Sequence, residues 1–162
     1  MDKTPNLGFS LLLPHKFKII GLSFVVPGIA LAVIRFYYGI KLGFLDLKVF
    51  ALYSKFLDTK LFKVIPNHFS EEIAGILILI GLLFIIFAKE QIENKSIESI
   101  RLQSLIISIY INSIVIILSL LLFFGIGFIY VLIINMYSLL IIYLIIFKIK
   151  ISRYKNSLNQ SN

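Results

Sequence analysis

The sequence predicts an all-α membrane protein with four transmembrane helices and an extra amphipathic interfacial helix between the first and the second. Three observations lead there. Hydrophobic residues make up 59% of the 162-residue chain and charged residues 15%, against about 45–50% and about 25% in a soluble domain. The excess is gathered in blocks almost free of charge, and a water-soluble core at this length has no room for them. The sixteen Lys and Arg and eight Asp and Glu lie mainly between the blocks and in the tails, where they set topology and meet lipid headgroups. One transmembrane domain, 1–162, is the natural count.

A helix needs about 20 mostly apolar residues to cross the ~30 Å hydrocarbon layer. The first span is read over 17–38, with an uncharged centre at 19–34. Pro27-Gly28 in its middle predicts a kink, because proline removes a backbone hydrogen bond there. The same segment resembles a signal peptide, with His15, Lys16 and Lys18 as the basic region and Ala30-Leu31-Ala32 as a small-x-small site. The apolar stretch continues past Ala32 and the basic region is long, so a retained helix is expected.

Segment 39–71 follows. Leu45, Val49, Leu52, Tyr53 and Phe56 recur at helical spacing, and Phe50 and Leu57 widen the stripe. Lys48, Ser54, Lys55 and Asp58 fall on the other side. This pattern predicts an interfacial helix over about 45–58, apolar face toward the membrane. The second span is 72–88, with Ser70 as its N-cap and Glu71 and Glu72 in its first turn. Its uncharged part covers only roughly 24 Å at 1.5 Å per residue, so full crossing calls for snorkelling ends or a thinned bilayer.

The third span, 102–124, is preceded by Ser96 as a candidate cap. The fourth is 128–147. Between them Gly125-Ile126-Gly127 supplies the backbone freedom of a tight reversal. The polar end, 152–162, reads as a disordered tail. With the N-terminus inside, the cytoplasmic side carries ten Lys and Arg and the other side six. That bias predicts cytoplasmic N- and C-termini.

The chemistry is mostly negative. There is no cysteine, which excludes disulfides, thiol catalysis and Cys-ligated metal centres. The +8 net charge comes with no basic–aromatic recognition motif, so nucleic-acid binding is not expected. No ionisable side chain lies near the centre of a predicted span, whereas ion-coupled transporters and intramembrane hydrolases generally need one. His15 and His68 are predicted on opposite membrane sides and cannot share a metal within one protomer. No catalytic set, cofactor or metal site is expected, and no nucleotide or HExxH motif is present.

Three groups remain as candidates. Asn112 and Asn135 are the deepest polar residues. An amide in hydrocarbon needs a partner, and Ser113, Ser119 and Tyr110 compete for that role. Glu90, Glu93, Glu98 and Arg101 form the densest charge cluster between the second and third spans. They read either as solvated ion pairs or as a docking face for a partner. Arg35 ends the first span and Glu72 begins the second. They read as an anchor and a capping carboxylate, or as an outer-interface pair with Asn67 and His68 nearby.

The stretch Lys89-Glu90-Gln91-Ile92-Glu93, then Ile97-Glu98-Ser99-Ile100-Arg101-Leu102-Gln103-Ser104 and Tyr110-Ile111-Asn112, is followed by Gly125 and Asn135-Met136. In these residues the chain resembles small uncharacterised integral membrane proteins of Bacteroidota-type bacteria, often encoded beside helix-turn-helix regulators. The resemblance covers roughly 73–147. It implies placement in a bacterial inner (cytoplasmic) membrane and a regulatory context, not a reaction, and it makes Arg101 and Asn112 pattern positions.

Three functional readings follow. The favoured one is a non-enzymatic accessory or regulatory protein acting through the lipid bilayer and a membrane-protein partner or its own oligomer. The alternative is a small-solute transporter or channel made by oligomerisation, with Asn112 and Asn135 lining the path. A third is an enzyme acting on lipid headgroups through His68, Glu71 and Glu72.

Overall fold

The computed structural model describes residues 12–55, 59–91 and 93–160. In chain order these form α1 (Phe17–Phe36), a 3-10 turn (Gly43–Leu45), β1 (Asp46–Lys55), β2 (Thr59–His68), α2 (Ser70–Phe87), α3 (Lys95–Leu122) and α4 (Ile126–Gln160). All four α-helices are long and apolar enough to cross a membrane. Their outward faces, such as Ile106, Tyr110, Ile117 and Leu121 on α3, are exposed. In water so much apolar surface would drive aggregation, whereas in a bilayer it is the lipid contact. The chain is a multi-pass membrane protein. By its contacts the chain divides into two compact units: Ile20–Gly81, and the residues up to Ile19 with those from Leu82 onward.

In the first unit, α1 and α2 approach closely on glycine. A Cβ built on Gly28 would stand 2.9 Å from Ile78 Cγ1, and one on Gly81 only 2.6 Å from the Gly21 carbonyl oxygen. Small residues at such points let helix backbones come together where hydrocarbon provides no hydrophobic drive. Pro27 lies inside α1 without ending it.

The interfacial helix expected over 45–58 is replaced by a β-hairpin. Asp46–Lys55 pairs antiparallel with Thr59–His68, from Asp46 opposite His68 to Lys55 opposite Thr59; residues 56–58 of the expected helix lie outside the described residues. The physical reason is the second run. A lone short helix is marginal in water, whereas 59–68 matches 46–55 in length and supplies a ladder partner. Pairs such as Val49 with Ile65 and Phe50 with Val64 suit a pleated surface. Pro66, opposite Lys48, is tolerated because each strand of a two-stranded ribbon is an edge. The ladder skips the Leu52–Phe62 position, where Phe62 holds φ 50°.

In the second unit, Leu13 bonds across to the end of α2, its N–H donating to Phe87 O at 2.8 Å and its carbonyl accepting from Lys89 N at 2.9 Å. The cap of α3 is Asn94 rather than Ser96: its side chain accepts from Ile97 N at 2.9 Å. The helix therefore starts well before the apolar span. Gly125 turns the chain from α3 to α4 at φ 63°, a left-handed conformation that glycine adopts without a Cβ penalty.

The tail expected to be disordered from 152 is helical to Gln160; residues 161 and 162 lie outside the described residues. The cause is a stripe that continues past the apolar span. Phe147 and Ile151 are buried with Ile97 and Tyr143, and Tyr154 packs against that cluster. Spacings of four and three keep these residues on one helix face.

Candidate functional site

The charge cluster between α2 and α3 folds inward around Arg101. Its Nη1 donates to Ile86 O at 2.9 Å, meeting a carbonyl left open by the end of α2. Its Nη2 lies 3.3 Å from Glu93 Oε2, and the guanidinium carbon sits 4.8 Å from the centre of the Phe147 ring. That ring stacks on Tyr143 with centroids 5.7 Å apart. Arg101 and Glu93 side chains are only 15% and 10% exposed, so the pair is largely removed from water. Arg101 Nε is buried without a hydrogen-bond partner.

The neighbours extend this network. Glu90 N–H donates to Glu93 Oε2 at 2.8 Å, and the Glu90 carboxylate pairs with Lys18. His15 Nδ1 donates to Lys89 O at 2.9 Å. Of the four candidate docking residues, Glu90, Glu93 and Arg101 thus have internal partners, while Glu98 is exposed beside exposed Lys95, Ser96 and Ser99. Lys150 on α4 reaches Gln103 on α3 at 3.1 Å.

Deeper in the same helix pair, α3 turns a polar row toward its neighbour. Ser104, Ser108, Asn112 and Ser119 are buried, and the three serines donate to carbonyls of Ile100, Ser104 and Val115 in their own helix. Asn112 and Asn135 meet through Ser138. The Ser138 hydroxyl contacts Asn112 Oδ1 and lies 2.7 Å from Asn135 Oδ1. One hydroxyl has a single proton, so Ser138 donates to only one of these amide oxygens at a time. Ser113 is exposed and Ser119 bonds within its own helix. Ser138 was not among the expected partners, although it stands three residues after Asn135, on the same helix face.

No known protein family, curated protein or solved structure matches the chain. What it can do chemically is read from geometry alone.

At the base of the hairpin, Asp46 Oδ1 is 2.6 Å from His68 Nδ1, and His68 Nε2 is 2.6 Å from Ser70 Oγ. The connectivity is that by which serine enzymes activate a hydroxyl. Ser70, however, is 0% exposed, so its oxygen has no open side toward a substrate. The arrangement acts as a clamp, tying both strands of the hairpin to the start of α2. Arg35 pairs with Glu71, the neighbour of Glu72, with Nη2 2.8 Å from Glu71 Oε1. Asp46 was missed because it lies 22 residues from His68, a separation no sequence window spans. Among the described residues, no group of three or more His, Asp or Glu is placed to hold a metal.

Proposed function

We propose that this chain is a non-enzymatic accessory or regulatory protein of a bacterial inner membrane, with both termini cytoplasmic, acting by binding a membrane-protein partner. One observation carries the reading. The buried hydrophobic cluster of Ile97, Tyr143, Phe147 and Ile151 sits at the charged end of α3 and α4, and it holds both helices in order beyond their apolar spans. An ordered helix pair outside the bilayer, with Lys95, Glu98 and Arg153 exposed on it, offers a rigid polar surface of the kind partners recognise. The regulatory part of the proposal is what a resemblance to small Bacteroidota-type membrane proteins found beside helix-turn-helix regulators would imply.

Native mass spectrometry of the protein, gently extracted from its host membrane, tests this reading. A reproducible heteromeric mass is the expected result and identifies the partner. A monomer or homo-oligomer in every preparation would sink it. The second reading, an oligomeric path for a small solute, draws its support from the buried Asn112–Ser138–Asn135 cluster.

A further inference from the structure

The β1–β2 hairpin carries an apolar face that the chain itself leaves open. By strand register, Lys48, Phe50, Phe62 and Val64 lie on one side. Phe50, Phe62 and Val64 are 61%, 69% and 63% exposed, and the two rings stand 6.4 Å apart. Phe62 is also in the left-handed region, which a bulky residue rarely occupies. Backbone strain at an outward-turned aromatic points to a use for that side chain outside the fold.

The attachments fix where this face stands. β2 ends at His68, and α2 begins at Ser70. α1 ends at Phe36, followed by exposed Tyr37 and Tyr38, a residue type that gathers at membrane–water interfaces. The Asp46–His68–Ser70 clamp holds the hairpin base against the start of α2. The hairpin is therefore leashed at a membrane surface at both ends. Segment 39–69 carries five lysines against two aspartates, and cations beside an anionic leaflet are attracted to it.

We propose that the hairpin is an interfacial anchor for anionic lipid. Phe50, Phe62 and Val64 enter the boundary between headgroups and acyl chains, and Lys48 meets lipid phosphate. Lipid is the occupant because the hairpin adjoins the ends of two helices of membrane-crossing length, and the excess positive charge of its segment would repel a second copy. This placement goes beyond the accessory reading and stands without it.

The chain has no tryptophan, so Phe50→Trp and Phe62→Trp variants of the full chain report on this face alone. They are placed in vesicles of phosphatidylcholine and phosphatidylglycerol, with or without brominated acyl chains. The expected result is blue-shifted emission, strong quenching by bromine near the headgroups and little quenching by acrylamide present on both sides. Adding Lys48→Glu, or omitting phosphatidylglycerol, should weaken the bromine quenching. Quenching by acrylamide but not bromine would place the face in water and overturn the proposal. Protection from both would mean that protein covers it, and would overturn it equally. Should the tryptophan variants fail to fold, spin-labelled Val64→Cys decides, since the chain has no cysteine. Collisions with oxygen should exceed those with an aqueous nickel chelate, and the reverse order would refute the anchor.

Discussion

Arg101 lies over the face of Phe147, its guanidinium carbon 4.8 Å from the ring centre. The same side chain reaches back to Ile86 and Glu93, so a single residue of α3 joins the end of α2, the connecting turn and α4. Cation–ring contact is made more often by arginine than by lysine, and the planar fork that lets Nη1 and Nη2 reach two partners at once is arginine's alone.

Replacing Arg101 should therefore unfold this corner. Arg101→Ala leaves Glu93 buried without its cation, a change that costs about 3–5 kcal/mol when a buried pair is broken, with the lower end applying at this partial exposure. Arg101→Lys should fall between the two, and Glu93→Gln with Arg101→Met should cost less than Arg101→Ala alone. Thermal melts in detergent followed by circular dichroism check the order. An unchanged melt for Arg101→Ala would show that the network contributes nothing.

Glu98 and Lys95 should behave in the opposite way. Both are exposed, and surface substitutions usually stay within about 0.5 kcal/mol. The double charge reversal Lys95→Glu with Glu98→Lys should keep the melt unchanged and lose the heteromeric mass. Retention of the complex would remove this surface from the proposed partner contact.

The glycine contacts make a sharp pair. Gly81→Ala drives a methyl against the Gly21 carbonyl oxygen, 2.6 Å from the built Cβ, and should destabilise by about 1–3 kcal/mol through overpacking. Gly127→Ala meets nothing within 4 Å and lies in the first turn of α4, so it should be neutral or stabilise by less than the ~0.5–1 kcal/mol of a mid-helix glycine. Equal effects at the two positions would contradict the close approach of α1 and α2.

Asn112 and Ser138 should be coupled. Hydrogen bonds between helices in membranes contribute about 0.6 kcal/mol on average and up to about 1.7, so Asn112→Leu and Ser138→Ala should each cost about that much and together less than their sum. A double-mutant cycle measures the coupling. Under the transport reading, Asn112→Leu also abolishes solute flux in liposomes, and vesicles that stay tight to a broad solute panel would rule that reading out.

The Asp46–His68–Ser70 clamp predicts a local effect. Ser70→Ala or Asp46→Asn should speed hydrogen exchange across β1 and β2 while leaving α3 and α4 protected. Unchanged exchange in the strands would mean that the hairpin holds without its base.

Much of the frame was legible because length and charge-free composition are local. The Gly125 reversal and the pairing of the third and fourth helices followed from the same kind of reading. The hairpin was not legible, because 45–58 by itself satisfies a helical stripe; its competitor is visible only when 59–68, with Thr59, Phe62, Val64 and Ile65, is weighed as a matching run. The ordered end of α4 was hidden for a related reason. Its lysines, asparagines and serines outnumber the apolar residues, and only the partner Ile97 on α3 makes Ile151 and Tyr154 a packed face.

The sequence by itself determined that the protein lives in a membrane, since transfer of an apolar block into lipid is a sum over consecutive residues and needs no partner. The tertiary structure decided which groups meet: Arg101 with Glu93 and Phe147, Asn112 with Ser138, Asp46 with His68, and β1 with β2. Each of these contacts depends on residues brought together from separate elements, and a polar group in or beside hydrocarbon is settled by whichever partner the fold delivers.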